Sequence, residues 1–132
     1  MPGVTNADHY YELLAHGRTP RMVGAGELIF EQGDRGESLV VVREGSVDLR
    51  DADRLVETVT APGLFGEMAL IEDEPRALSA VAATDVAVIE IPARHFWVLV
   101  HDTPYFAQLV MSVMAQRLRR RNSVDLSTAA DS

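Results

Sequence analysis

Residues 19–92 consist of short β-type runs separated by glycine-containing turns, and this pattern constrains the fold more than any other feature. The clearest run, residues 38–42, contains three consecutive valines and is typical of a buried strand. Apolar and polar residues alternate around Val47 and Leu49, and again in residues 55–60 and 86–91. Many short strands at close spacing predict a jelly-roll-like β-sandwich or barrel.

Helical patterns flank this β region, so the predicted fold class is mainly β with flanking helices. Residues 6–16 predict a short helix capped by Asn6, inside an N-terminal helical segment of residues 1–18. Two C-terminal helices are predicted over residues 93–122, the second beginning at the Thr103-Pro104 pair. Residues 123–132 are polar and are expected to form a flexible tail.

Composition excludes several functional classes. The chain has 132 residues, enough for one domain with a real core, and a formal net charge of −8 that disfavours nucleic-acid binding by the domain as a whole. It has no cysteine, so disulfides, thiolate zinc sites and cysteine nucleophiles are excluded. The sequence shows neither a membrane span nor a secretory signal, and we expect a cytoplasmic protein.

Residues 65–80, FGEMALIEDEPRALSA, carry the most specific chemical signal. Glu67 precedes Arg76 by nine residues, and Gly66 stands directly before the acid. An arginine fork can hold two oxygens of a phosphate, and a carboxylate can accept a hydroxyl proton. Glycine allows close backbone approach, and a short helical turn over residues 68–71 would add N–H groups at its positive end. We expect Glu67 and Arg76 to neutralise each other in part.

The 65–80 stretch resembles the phosphate-binding cassette of cyclic nucleotide-binding domains, and we call it the cassette below. Similarity extends to residues 26–34, which resemble the first hairpin of that family, and to residues 40–47, which resemble its central strand pair. Residues 94 onward match the two following helices. The resemblance covers about residues 19–122, and the glycine turns together with the Glu-to-Arg spacing make it specific.

The resemblance implies a set of ligand-binding residues. Arg76 and the backbone N–H of Ala77 would hold the cyclic phosphate, and Glu67 would accept the ribose hydroxyl. Val47 and Val59 resemble an apolar wall against the base, although ordinary β core is an alternative role for either valine. The predicted ligand-binding residues are Gly66, Glu67, Met68, Ala69, Arg76, Ala77, Val47 and Val59.

The identity of the base is suggested by Ala77. Some family members carry threonine at this position and thereby favour cGMP, so Ala77 leans toward cAMP without excluding cGMP. Leu78 departs from the small residue that the family often has there. The last helix resembles the lid of the family, and Arg117, Arg120 or Arg121 could stack on a purine. Alternatively, the arginines at 117–121 simply complement the dipole of a helix C-terminus.

The resemblance implies a non-catalytic sensor that binds a cyclic nucleotide, preferably cAMP, and signals through movement of its C-terminal helices. It needs no cofactor other than this ligand. Its output would act through a homodimer formed by the C-terminal helix or through an unidentified effector protein. Direct DNA binding is not expected, because the chain stops about ten residues after the long helix, where regulators of this type carry a helix-turn-helix.

Two other readings stay open. The domain could keep the fold without its ligand, as a degenerate scaffold. A cupin-like metal enzyme would share the jelly-roll class but needs histidines on core strands. The four histidines, His9, His16, His95 and His101, all fall in predicted helices or at their ends, which favours surface roles.

Overall fold

The computed structural model describes the backbone of residues 6–131 and the side chains of residues 11–120. Within the described backbone, three helices and a short fourth one accompany eight strands. In chain order these elements are α1 (Asn6–Ala15), β1 (Arg21–Val23), β2 (Leu28–Phe30), β3 (Ser38–Glu44), β4 (Ser46–Asp51), β5 (Arg54–Thr60), β6 (Gly63–Phe65), α2 (Glu67–Glu72), β7 (Ser79–Ala82), β8 (Val86–Pro92), α3 (Ala93–Asp102) and α4 (Pro104–Asp131).

The strands form two four-stranded sheets, and all pairings are antiparallel. One sheet has the order β1-β8-β3-β6, and the other has the order β2-β7-β4-β5. The two sheets make a β-sandwich with a helix before it and helices after it. The predicted fold class, mainly β with a jelly-roll-like sandwich and flanking helices, is therefore confirmed.

Apolar side chains from both sheets form one core cluster. Its members are Val23, Ile29, Val40, Val42, Val47, Leu49, Val59, Phe65, Ala80, Ala82, Val86 and Val88. Strands β3 and β8 bury their other face as well, through Leu39, Val41, Ile89 and Ile91. Burial on both faces explains why residues 39–42 read as a continuous apolar run instead of an alternating one.

Several boundaries differ from the sequence predictions. Strands β1 and β6 were not predicted, because each has only three residues, too few to display a period of two, and neither lies in the segment 26–34 that resembles the first hairpin. Helix α4 continues to Asp131, whereas the sequence placed its end near Asn122 and a flexible tail at 123–132. No glycine or proline occurs between residues 105 and 131 to end it. Residues 1–5 and Ser132, parts of the predicted terminal segments, lie outside the described residues.

Contacts divide the chain into two compact units, residues 1–97 and 98–132. This division falls inside α3, a few residues after the predicted boundary at Pro92. The first unit contains the sandwich and the cassette. In the second unit, the carbonyl of Thr103 accepts the N–H groups of Phe106 and Ala107 and so begins α4 as predicted. Within residues 6–131, no helix combines the length and the apolar character of a membrane span.

Candidate functional site

The junction of β6 and α2 places the predicted acid inside the protein. Phe65 ends β6, and Gly66 follows with φ 88° and ψ 5°, a left-handed conformation that suits glycine. Glu67 is then the first residue of α2, and only 1% of its surface is exposed. The predicted helical turn at 68–71 is thus one residue longer at each end.

Arg76 is buried next to this junction, with 5% of its surface exposed. Its Nη1 donates to the carbonyl of Gly66 at 2.9 Å, and its Nη2 donates to the carbonyl of Ser38 at 2.6 Å. The Cζ atom lies over the ring of Phe30, 4.0 Å from the ring centroid. Its Nε, although buried, has no hydrogen-bond partner among the described residues. The guanidinium is therefore held in place, while its Nε–H still has no acceptor in the described part of the chain.

The loop between β2 and β3 also fixes the backbone of Arg76. The N–H of Gly33 donates to the carbonyl of Arg76 at 2.8 Å, and the N–H of Arg76 donates to the carbonyl of Asp34 at 2.7 Å. Farther along this loop, a Cβ placed on Gly36 would lie 2.3 Å from the Cβ of Ala69 in α2. The loop thus touches both arms of the cassette, and glycine is required at position 36 for this approach.

Burial dominates the electrostatics of Arg76. It lowers the pKa of the guanidinium below its ordinary value, because desolvation disfavours the charged form. The negative charges of Glu90, Asp34 and Glu67 act in the opposite direction, with a smaller combined effect. The guanidinium remains a cation at neutral pH. Keeping this cation buried therefore costs folding free energy, and such a cost is typical of a functional group.

The expected neutralisation of Arg76 by Glu67 is only a minor part of what surrounds the guanidinium. Its hydrogen bonds go to two backbone carbonyls, and Glu67 is the weakest of the three carboxylates that favour its charge. Carbonyls carry partial charges, so they orient the fork without cancelling its positive charge. Arg76 therefore keeps an electrostatic attraction for an anion.

The predicted ligand-binding residues fall into two groups. Gly66, Glu67, Met68, Ala69, Arg76 and Ala77 lie together at the cassette. Met68 and Ala77 are exposed, and Ala69 is buried against the loop. Val47 and Val59 are paired across β4 and β5 and belong to the apolar core cluster. Their role as a wall against the base stays a prediction.

Sequence reasoning missed several contributors to the site, among them Phe30 and Ser38. Phe30 was placed only within residues 26–34, the segment that resembles the first hairpin, and Ser38 contributes through its carbonyl, which every residue carries. The two residues lie 46 and 38 positions before Arg76, so no local spacing could reveal the contacts. Leu78, the departure from the family pattern, is half-buried and packs against the core cluster.

The remaining candidate residues do not belong to strands. Arg117 and Arg120 belong to α4, in the second unit, and the side chain of Arg121 is outside the described residues. The histidines occupy α1, the turn after it, and α3. In the described part of the chain, no three His, Asp or Glu side chains are grouped so that they could hold a metal ion.

Known proteins resemble this chain in both sequence and fold. Residues 20–103 match the family model of the cyclic nucleotide-binding domain. A cyclic nucleotide-gated potassium channel of Rhizobium etli is 35% identical over 98 residues, which are 74% of this chain and 27% of the channel. The cyclic AMP receptor protein of Thermus thermophilus is 32% identical over 104 residues, covering 75% of this chain and 48% of that protein.

Among solved structures, the catabolite activator protein of Thermus thermophilus matches with a TM-score of 0.75 and 28% identity, covering 96% of this chain and 62% of that one. The chain thus spans about a quarter to a half of the length of the curated relatives named above. The family model covers more than half of the chain, and its matched segment includes both sheets and the cassette. The chain therefore belongs to the cyclic nucleotide-binding domain family.

Proposed function

We propose that this chain is a non-catalytic regulatory module that binds a 3′,5′-cyclic nucleotide, with cAMP preferred over cGMP. The observation that carries this proposal is the buried Arg76, whose Nε has no hydrogen-bond partner in the described part of the chain. Such an orphaned donor on a buried cation costs stability unless an anionic acceptor reaches it. A cyclic phosphate has one delocalised negative charge and supplies acceptors of this kind.

Each candidate residue then has a distinct role. Arg76 binds the phosphate through Nε–H and the N–H groups left on its two terminal nitrogens. Glu67 accepts the ribose 2′-hydroxyl, and Gly66 allows the ligand to approach the backbone. Ala77 donates its N–H to the phosphate and leaves no hydroxyl for a guanine amino group. Val47 and Val59 provide apolar surface for the base.

The bound ligand changes the position of the C-terminal helices α3 and α4, and this change is the signal. The helices have two positions in equilibrium. A ligand shifts this equilibrium only as far as its affinities for the two positions differ. An effector protein, or a second copy of the chain, binds the C-terminal helix and responds to its change of position. The relatives named above support a regulatory role. The domain is proposed to be cytoplasmic.

Calorimetric titration with cAMP and cGMP tests the proposal. We expect saturable binding of cAMP, weaker binding of cGMP, and at least about a thirtyfold loss of cAMP affinity in Arg76→Ala, because removing a buried charged donor from an anion costs roughly 2–5 kcal/mol. Arg35→Ala is the matched control, because this arginine lies on the adjacent loop with a side chain that is 89% exposed. It should bind cAMP like the unchanged protein.

Two outcomes would contradict the proposal. Absence of binding by any cyclic mononucleotide, in a protein that is folded by circular dichroism, would leave the degenerate scaffold as the better description. A stoichiometric transition metal in the purified protein would support the cupin-like enzyme instead. A thermal-shift screen extends the search to cyclic dinucleotides, because a ligand that binds only the folded state raises the melting temperature.

A further inference from the structure

Phe30 has a contact that the ligand-binding role of the cassette does not by itself require. The Cζ atom of Arg76 lies over its ring at 4.0 Å from the centroid, well inside the distance at which a cation is attracted to the face of an aromatic ring. Because Arg76 is almost fully buried, this attraction is weakened little by water. The contact is therefore at the stronger end for its type.

The ring of Phe30 is itself fixed. It meets the ring of Phe65 with centroids 5.7 Å apart and an interplanar angle of 55°, a tilted arrangement that aromatic pairs favour. Phe65 is fully buried in the core cluster, and Phe30 packs against that cluster at the end of β2. The surface under the guanidinium thus belongs to the rigid sandwich rather than to the loop.

The contacts around Arg76 differ in direction. Hydrogen bonds to the carbonyls of Gly66 and Ser38 use N–H groups of the guanidinium, whereas the ring of Phe30 has the central Cζ atom over its face. A carboxylate in the same place would use two N–H groups and cancel the charge. A phenyl face uses none of the five N–H groups and carries no net charge. It can therefore hold the cation and leave the N–H edge for an anion.

We propose that Phe30 is a positioning residue for anion binding, whose ring holds the Arg76 guanidinium against tilting while its N–H edge and its charge stay available for a phosphate. The inference rests on the proposed function and deepens it. A guanidinium that leaves the productive orientation binds phosphate only for the fraction of time it returns, and the apparent affinity falls by that fraction. Phe30 thus sets affinity without touching the ligand.

The experiment compares Phe30→Tyr, which keeps the aromatic face, with Phe30→Leu, which keeps an apolar side chain of similar size without one. We expect cAMP affinity within about twofold of the unchanged protein for tyrosine, and about threefold to tenfold weaker for leucine. Leu28→Ala, at an exposed position on the same strand, is the matched control and should leave the cAMP affinity unchanged. Melting temperatures measured alongside separate a loss of affinity from a loss of fold.

A replacement that preserves shape decides the question even if Phe30→Leu folds poorly. Site-specific incorporation of mono-, di- and trifluorophenylalanine at position 30 weakens the negative ring face in steps while keeping the ring. Affinity for cAMP should fall progressively along this series. Equal affinity across the series, or equal losses for tyrosine and leucine, would overturn the inference.

A ligand-independent measurement separates this inference from the proposed function. In a 15N-labelled protein, the Arg76 Nε–H resonance, assigned by its loss in Arg76→Lys, should be shifted upfield by the ring current of Phe30. The shift should persist in Phe30→Tyr, and the 15N relaxation of Arg76 Nε should show more motion in Phe30→Leu than in Phe30→Tyr; equal motion in the two variants would refute positioning. If the unchanged protein binds no cyclic nucleotide, the proposed function fails, while this spectrum still decides whether Phe30 positions Arg76.

Discussion

The core between the two sheets and the cassette beside it are both buried, yet they meet opposite chemical demands. The core cluster consists only of apolar side chains, whose removal from water favours folding. The cassette buries Glu67 and Arg76, the two charged residues among the buried residues that the structure describes. Burial of charge opposes folding unless partners compensate it. The core therefore stabilises the fold, whereas the cassette carries a cost of buried charge that the proposed ligand would offset.

The comparison makes a first prediction in the core. Leu49→Ala should lower the free energy of unfolding by about 2–5 kcal/mol, because it removes buried methyl groups and leaves a cavity between the sheets. Urea denaturation measures the change. Leu55→Ala, on the neighbouring strand at 51% exposure, should cost less than about 0.5 kcal/mol. If the folded fraction of Leu49→Ala also bound cAMP much more weakly, the two regions would not be separable.

A second prediction concerns the glycine that opens the cassette. Gly66→Ala and Gly26→Ala both force a side chain into a left-handed backbone, and each should cost on the order of 1 kcal/mol of stability. Only at Gly66 would the new Cβ meet Arg76, 2.6 Å from Nη1, whereas nothing lies within 4 Å at Gly26. We expect about a tenfold loss of cAMP affinity for Gly66→Ala alone, measured by calorimetry. Equal affinities in the two variants would show that the position of Arg76 is not critical.

A third prediction sharpens the identity of the base. Ala77→Thr adds a hydroxyl at an exposed position of the cassette, and one additional hydrogen bond to guanine is worth about 1 kcal/mol. The ratio of cGMP to cAMP affinity should therefore rise about fivefold in competition titrations. Ala83→Thr, at an exposed position outside the cassette, is the control. An unchanged ratio would remove Ala77 as a determinant of base preference.

The smallest expected effect is the most informative about the cassette. Arg76→Met should change the free energy of unfolding by less than about 1 kcal/mol, because relief of the desolvation cost offsets the loss of two hydrogen bonds and of the cation contact with the Phe30 ring. The sign follows from the pKa: it is lowered by burial, so the cation is less favourable in the folded chain than in the unfolded one. Thermal and urea denaturation check it. A loss of several kcal/mol would mean that Arg76 is a structural residue, like those of the core.

The sequence was most informative where periodicity is long. The valine run of β3 and the alternation in β4, β5 and β8 predicted strands, and the combination of such strands predicted a sandwich. The three-residue strands β1 and β6 lack any period, and their existence depends on pairing with strands distant in the chain. Local sequence could not contain that information.

The same limit applies to the site. Glu67 and Arg76 could be singled out because they share one short segment with Gly66. The partners of Arg76 could not, because Gly33 and Asp34 lie on the β2–β3 loop, Phe30 and Ser38 lie on the strands at its two ends, and three of the four act through backbone groups. The amino-acid types of Gly33, Asp34 and Ser38 do not reveal these backbone contacts. The choice between core and base contact for Val47 and Val59 depends on the ligand and not on sequence pattern.

The close approach of Gly36 to Ala69 restricts how the cassette can respond to a ligand. The β2–β3 loop and α2 are so close that even a Cβ on Gly36 would collide with Ala69. The helix therefore has no free space on that side. The loop therefore acts as a mechanical stop, and α2 can retract from it or slide along it but cannot advance. Any rearrangement of α2 on binding consequently has a preferred direction, determined by the smallest side chain in the neighbourhood.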